Sequence, residues 1–328
     1  MKRTTIKDIA NEVGVTHVTV SKVINNKGRI SEKTKKKIFE AIEKLEYYPN
    51  YAARSLVKGR TNNIAVIEPG FTGFPGSIVS GAQIANVKSM YDLNLYNSRA
   101  TGEGALNIFK KLLNEKKADA VIVVSIGMDD SFLFEYKKAG IPVVLIETES
   151  KGASSILADN ENGAFKATDF LLKKGRKKIG VVAGDRKYTR PQAERFNGYF
   201  KALKDAGLEP DENLIYTTTY YSYKDGKDAF TQLRAKGADS IFSIAGDLVA
   251  FGMLDAARKS GLKLPEDFSI IGFDDEFMAD NLDLTTVRQP IQEMGMKAYE
   301  IAALCAENKN REAETIVFPT ELIVRNSA

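Results

Sequence analysis

The side chains of residues 16–22 have the types and spacing needed to read the edges of DNA base pairs. His17 and Thr19 can form hydrogen bonds, Val18 offers an apolar contact, and Lys22 can donate to guanine O6 and N7. An exposed helix with such residues near its start fits the major groove. The competing interpretation is a generic amphipathic helical hairpin with a solvated outer face.

Two short helices joined by a tight turn are predicted to position these side chains. Thr5 and Asp8 suit the first turn of one helix, and Gly14 can adopt the positive φ that ends it. Thr16 then caps a second helix. The inner face of that helix is apolar and consists of Val20, Val23 and Ile24. The spacing therefore predicts a helix-turn-helix.

A third helix is predicted to begin after Ser31, with a lysine-rich outer face. Its apolar face comprises Ile38, Phe39, Ile42 and Leu45. The segment 49–56 follows, and it is too short to form a stable helix in isolation.

Charge divides the chain into two unlike parts. The first 60 residues hold 14 basic and 6 acidic side chains, whereas the remaining 268 hold 33 basic and 37 acidic ones. A head of net charge +8 on a body of net charge −4 is typical of nucleic-acid binding. We expect the affinity of the head for DNA to fall steeply with salt.

The scarcity of histidine and cysteine excludes several kinds of active site. His17 is the only histidine and Cys305 the only cysteine, so the body has no Ser-His-Asp or Cys-His site and no zinc site of the usual ligands. We expect no catalysis and no cofactor, and we expect Cys305 to be a buried, inert thiol. Without a secretory signal, a membrane-length apolar run or a disulfide, the sequence indicates a cytoplasmic protein.

From residue 62 onward, short apolar runs alternate with amphipathic segments, which predicts parallel sheets covered by helices. The predicted strands are 64–67, 93–96, 120–124, 143–146, 178–183, 215–219, 240–244 and 269–273. The predicted helices are 78–91, 104–116, 131–139, 162–174, 192–206, 225–235, 247–260 and 290–307. The pattern pauses at 147–159, so we expect two doubly wound lobes with a ligand cleft between them.

Several motifs identify the chain as similar to the LacI/GalR family of bacterial transcription regulators. They are TVSKVIN at 19–25, YYPNYAARSL at 47–56, GIPVV at 140–144, RFNGY at 195–199, PEDFSIIGFDD at 265–275 and TTVRQP at 285–290. The resemblance covers essentially the whole chain. It implies a small all-α helix-turn-helix head and an α/β, periplasmic-binding-protein-like core of two doubly wound parallel-sheet lobes.

The resemblance also implies domain bounds. The DNA-binding domain would span 1–48, the hinge helix and linker 49–61, and the effector-binding and dimerisation core 62–328. Lobe 1 would comprise about 62–158 and 290–318, and lobe 2 about 159–289 and 319–328. The hinge would fold only on operator DNA, with Leu56 as an apolar wedge in the minor groove.

Two sets of site residues carry over by position. The DNA-binding set is Thr5, Thr16, His17, Val18, Thr19, Ser21, Lys22, Asn25, Asn50, Ala53, Arg54 and Leu56. The effector-binding set is Phe74, Ser125, Glu147, Arg195, Tyr221, Asp247 and Asp274. Arg195 suits vicinal hydroxyls or a carboxylate, and Asp274 can accept two hydroxyl hydrogen bonds. Core packing is the alternative for Phe74 and Tyr221, a surface position for Arg195 and a structural cap for Asp274. Gly246 stands where many sugar-responsive relatives have Asn, which removes one hydrogen-bond partner.

The sequence thus favours a repressor that binds near-palindromic operator DNA as a homodimer and responds to a sugar or sugar derivative. Helix 78–91 is the candidate dimer surface, through Ile78, Ile84, Ala85 and Val87. The alternatives are control by a phosphorylated carrier protein, a sugar-binding transport protein and an enzyme with a fused DNA-binding head. Tetramers, effector identity and the direction of the response stay open.

Overall fold

A computed structural model describes residues 4–24, 28–47, 60–70, 73–87, 89–99, 102–184, 189–218 and 220–328. The chain divides into two units, 1–61 and 62–328. Five positions expected to contact DNA lie outside the described residues: Asn25, Asn50, Ala53, Arg54 and Leu56.

The described residues of the N-terminal unit form three helices: α1 (Ile6–Val13), α2 (His17–Ile24) and α3 (Glu32–Lys44). Gly14 has a φ of 72°, the left-handed conformation that ends α1. The core of this unit consists of Ile9, Ala10, Val20, Val23, Ile38, Ala41 and Tyr47. Phe39 was expected on the apolar face of α3, but the side chain is 51% exposed, and Ala41 takes that place in the core. At about 100° per residue, Phe39 lies outside the stripe that Ile38 and Ala41 define.

The larger unit contains two six-stranded sheets. The first has the order β11-β5-β4-β3-β1-β2 and the second the order β12-β10-β9-β8-β6-β7. All pairings are parallel except that of β12 with β10. Most inner strands are wholly buried, as expected for parallel sheets covered by helices on both faces.

The first lobe contains the following elements. They are β1 (Asn63–Glu68), α4 (Gly73–Asn86), β2 (Asp92–Asn97), α5 (Gly102–Glu115), β3 (Ala120–Val124), α6 (Asp130–Lys138), β4 (Val143–Ile146), β5 (Ser154–Ala158), α12 (Ile291–Glu307) and β11 (Thr315–Phe318).

The second lobe contains the remaining elements. They are α7 (Asn160–Lys173), β6 (Ile179–Ala183), α8 (Arg190–Asp205), a 3-10 turn (Glu212–Leu214), β7 (Ile215–Thr217), α9 (Tyr223–Ala235), β8 (Ser240–Ser243), α10 (Asp247–Lys259), β9 (Ser269–Asp274), α11 (Phe277–Asn281), β10 (Thr285–Arg288) and β12 (Glu321–Ile323).

The chain passes between the lobes three times, after β5, after β10 and after β11. The expected pause at 147–159 was wrong, because it contains the buried strand β5. The expected helix 78–91 begins and ends five residues earlier, at Gly73 and Asn86. Among the described residues, none of the helices combines the length and the apolar composition needed to cross a membrane.

Candidate functional sites

The residues expected to read bases lie on the exposed side of α2. His17, Val18 and Lys22 are exposed, Thr19 and Ser21 are half-buried, and the opposite side of the helix is in the core. The Thr16 hydroxyl accepts a hydrogen bond from the Thr19 backbone N–H at 3.2 Å, so it caps α2. The start of α2 therefore presents a short, rigid set of side chains to solvent.

Thr5 has a corresponding role at the start of α1. Its backbone N–H and hydroxyl both donate to the Asp8 carboxylate, at 2.8 and 2.7 Å. This pairing fixes the first turn of α1, against which α2 packs, and leaves the Thr5 hydroxyl oxygen able to accept a further hydrogen bond.

In the larger unit, the other expected site residues gather at the carboxyl ends of parallel strands. Ser125 follows β3, Glu147 follows β4, Asp247 follows β8 and Asp274 ends β9. In open α/β sheets ligands bind beyond these ends, because the following loops and helix N-termini meet there.

Arg195 of α8 is at the centre of a buried hydrogen-bond network. Its Nε donates to Asn160 Oδ1 and its Nη1 to the Ile244 carbonyl oxygen, both at 2.8 Å. The guanidinium also stacks on the Phe273 ring, 3.7 Å from the ring centroid. Asn160 Nδ2 donates in turn to Glu147 Oε2 at 2.8 Å. Asn160 thus links the first lobe to Arg195 in the second.

Asp274 lies beside the free end of this guanidinium. Arg195 Nη2 is 3.8 Å from Asp274 Oδ1, which is too long for a hydrogen bond, so the two charges attract without being joined by one. Gln289 Nε2 donates to the same oxygen at 2.6 Å. Burial raises the pKa of Asp274 to about 6, and Arg195 opposes that rise.

Gly246 leaves the space that the second Asp274 oxygen uses. Its φ is 106°, and a Cβ atom built there would stand 2.8 Å from Asp274 Oδ2. An asparagine at position 246 would therefore not be compatible with the orientation that the Asp274 carboxylate has here. A side chain at 246 would strain the backbone and displace Asp274.

Two expected ligand contacts have a different role in the structure. Both oxygens of Glu147 are engaged, by the Ala158 backbone N–H at 2.6 Å and by Asn160. Both oxygens of Asp247 are engaged as well, by the Thr286 hydroxyl at 2.6 Å and the Glu276 backbone N–H at 2.8 Å. Each of these four oxygens thus accepts a hydrogen bond within the protein, and the buried carboxylates hold loops in place.

The three remaining expected residues surround the same region. Phe74 lies in the first turn of α4 and packs on the core of the first lobe. Ser125 is half-buried, with a φ of 53°. Tyr221 is 37% exposed, and its hydroxyl packs against Gly184 at the end of β6. The ligand contacts expected of these three residues stay predictions.

Three polar residues of the site were missed by the sequence analysis. Asn160 bridges the lobes, and Gln192 joins the ends of β6 and β8 by accepting from the Gly184 N–H at 3.0 Å and donating to the Ile244 oxygen at 3.2 Å. Glu276 follows Asp274 by two residues. A signal existed for two of them, since Asn160 begins the helix after a crossing and Gln192 lies one helical turn before Arg195.

The acidic groups of the site predict a pH dependence of stability. Burial, with the nearby Asp274, raises the pKa of Glu276 from 4.5 to about 7. In the unfolded chain this carboxyl group is already ionised at pH 6, so the folded protein binds the extra proton and is stabilised by it. Stability should therefore be greatest near pH 5 and fall as the pH rises through 7.

The measurement is thermal unfolding of the parent and of Glu276→Gln between pH 5 and pH 8. We expect the midpoint of the parent to fall by roughly a few degrees over this range and the variant to lose the part of that fall that lies below about pH 7, since ~1 kcal/mol shifts such a domain by ~2–4 °C. Asp274 should leave a residual slope near pH 6 in both proteins. Equal pH profiles would contradict the assignment.

An exposed helix of base-reading side chains, together with a two-lobed core that gathers polar groups at strand ends, defines a ligand-responsive DNA-binding regulator. Residues 5–50 match the model of bacterial regulatory proteins of the lacI family, and residues 168–328 match that of the periplasmic binding protein-like domain. The chain belongs to the LacI family.

Among its relatives is the HTH-type transcriptional regulator DegA of Bacillus subtilis (strain 168), which is 33% identical over 99% of this chain and 98% of DegA. A solved structure of a complex of the transcriptional regulator CelR with cellobiose is 29% identical, with a TM-score of 0.72, and covers 99% of this chain and all of that one. The lac repressor dimer bound to operator and an anti-inducer has a TM-score of 0.88 over 99% of each chain at 22% identity, which shows a common fold.

Proposed function

We propose that this chain is a cytoplasmic repressor that binds a near-palindromic operator as a homodimer and is switched by a sugar or sugar derivative in the cleft between the lobes. The observation that carries the proposal is the Glu147–Asn160–Arg195 network beside Asp274, which joins strand ends of the two lobes. Within it, Arg195 Nη2 makes no hydrogen bond to a described residue, and this nitrogen beside the Asp274 carboxylate suits a ligand that carries hydroxyl groups. The cellobiose complex of the CelR regulator supports the same class of effector.

A ligand in this cleft can control DNA binding only if it prefers one arrangement of the lobes. Three chain crossings join the lobes, and a ligand that contacts both lobes would fix the angle between them. Such coupling is typically ~1–3 kcal/mol, and it is reciprocal, so operator DNA should change ligand affinity by the same factor.

Dimerisation is proposed because one short recognition helix contacts too few bases for useful specificity. Exposed apolar side chains at the end of α4 and just beyond support a contact there: Ile84 is 49% exposed and Val87 80%. Ile78, which was expected in the same surface, is fully buried in the first lobe and cannot contribute.

Control by a phosphorylated carrier protein would need free cations on α12. The exposed side of this helix instead has Lys297 paired with Glu300 at 3.4 Å, with Glu293 and Glu307 also exposed. These carboxylates would repel a phosphoserine, which favours the small-ligand mode.

The test is direct. Operators are selected from random DNA with the full-length protein, and binding is followed by fluorescence anisotropy while sugars and sugar derivatives are added. We expect selection of a near-palindrome and a shift in its affinity by at least one sugar class. Selection without sequence preference would refute the DNA-binding proposal, and a preference that no sugar alters would refute the effector proposal.

A further prediction concerns base reading by Lys22. Lys22→Ala should weaken operator binding by about 1–3 kcal/mol, mainly through one base pair in each half-site, because a base-edge contact is lost. Lys36 on α3 is exposed and is the matched control. Lys36→Ala should leave the order of preference among operator variants unchanged. Binding of all single-base operator variants is the measurement, and an unaltered pattern in Lys22→Ala would contradict the assignment.

A further inference from the structure

Glu276 reaches from the second lobe to the first. It follows β9 and is the N-cap residue of α11, and its backbone N–H donates to the buried Asp247 carboxylate at 2.8 Å. Its side chain extends to Gly73, the first residue of α4 in the other lobe: a Cβ atom built on Gly73 would stand 2.9 Å from Glu276 Oε1. The carboxylate therefore lies at the boundary between the lobes, on the same side as Asp274.

The Glu276 carboxylate has no partner among the described residues. No described donor forms a hydrogen bond with it, no described cation pairs with it, and the nearest interacting charge is the carboxylate of Asp274. Burial with a like charge raises its pKa to about 7. The ionised form of a largely buried carboxylate is stabilised when a ligand donates a hydrogen bond to it.

The two described arginines of α8, Arg195 and Arg190, both face a carboxylate. All three nitrogens of Arg195 face acceptors, namely Asn160, the Ile244 oxygen and Asp274. Arg190 pairs with Glu194 at 2.7 Å. Among the described residues, Glu276 is thus an acceptor without a partner, whereas both arginines of α8 already have a counter-charge.

We propose that Glu276 is a specificity-determining residue of the cleft, which accepts a hydrogen bond from a hydroxyl or ammonium group of an uncharged or cationic sugar and rejects phosphorylated sugars and sugar acids. This inference rests on the proposed function, because it assigns the chemistry of the effector to the same cleft. The Glu276 carboxylate would discriminate against anionic sugars, which the oppositely charged Arg195–Asp274 pair alone does not do.

Thermal-shift measurements on the full-length protein at pH 8, where Glu276 is ionised, test the inference. Four pools of monosaccharides and disaccharides are compared: neutral sugars, amino sugars, sugar acids and sugar phosphates. We expect stabilisation by the neutral or amino pool and none by the two anionic pools. Stabilisation by an anionic pool alone would overturn the inference while leaving the proposed effector cleft standing. No stabilisation by any pool would overturn the effector proposal, and this inference with it.

A pair of variants then assigns the effect to the residue. For the stabilising sugar, Glu276→Gln should weaken binding about tenfold or more, because the charged acceptor is lost. Glu266→Gln is the matched control, since Glu266 is exposed and precedes the opposite end of the same strand, β9. Glu266→Gln should bind like the parent, and ligand-free unfolding should show that both variants are folded. Unchanged affinity in Glu276→Gln would overturn the inference.

Discussion

Asp274→Asn is expected to weaken effector binding by about 10- to 150-fold and to remove the effect of the sugar on operator affinity, since hydrogen bonds to charged groups contribute ~1.5–3 kcal/mol. Asparagine keeps the volume of the side chain and an acceptor for Gln289, so the loop should stay in place. The negative charge facing Arg195 is lost.

Asp274→Ala would be less informative, because it combines two effects. It removes the counter-charge of a buried guanidinium, and breaking a buried pair costs ~3–5 kcal/mol. The loss should be near the lower end of that range, because the charges are 3.8 Å apart and Glu147 also favours the charged form of Arg195. We therefore expect Asp274→Ala to lose both the response and thermal stability.

Calorimetry with the sugar and anisotropy with the operator separate these outcomes. Asp205→Asn is the matched control, because Asp205 is an exposed carboxylate at the far end of α8. Ligand-free operator binding should be nearly unchanged in Asp274→Asn and in the control. If Asp274→Asn responds to the sugar as the parent does, the ligand does not bind beside Arg195.

The elements that the sequence predicted well are those with a clear period or a terminal signal. Gly14 marks the end of α1, and Thr16 marks the start of α2 with a hydrogen bond that its spacing from Thr19 anticipates. Strand β5 was missed because it begins with Ser154 and Ser155, which give no apolar run. Ser155 is fully buried in the sheet nonetheless, so tertiary pairing outweighed composition.

The sequence predicted which strand ends the candidate site residues follow, but not which groups their side chains bind. Arg195 and Asp274 were found because they belong to recognisable motifs at strand ends. Glu147 and Asp247 were placed at correct ends, but their oxygens are satisfied by groups distant in sequence, at Ala158 and Thr286. No local pattern encodes such partners. Glu276 was missed for the same reason, because its side chain lies beside Gly73, a residue of the other lobe that is distant in sequence.

Gly198→Ala is expected to be among the most damaging single-methyl additions in the second lobe. Gly198 of α8 faces α7, where an added Cβ would stand 2.1 Å from the Glu161 carbonyl oxygen and 2.8 Å from the Phe165 nitrogen. Both are backbone atoms within one helix, so no side chain can turn aside and the helices must separate. Overpacking typically costs ~1–3 kcal/mol and occasionally more, and we expect about 3 kcal/mol or above here.

The consequence should extend from stability to function, because α8 also holds Gln192 and Arg195. A shift of α8 away from α7 would lengthen the Arg195–Asn160 hydrogen bond, since Asn160 begins α7. We expect the unfolding midpoint to fall by roughly 6–12 °C and the response to the sugar to be lost. Gly127→Ala is the control, since nothing lies within 4 Å of its added Cβ and its φ is not positive. A Gly198→Ala protein that unfolds and responds like the control would mean that α7 and α8 pack less closely than this backbone contact requires.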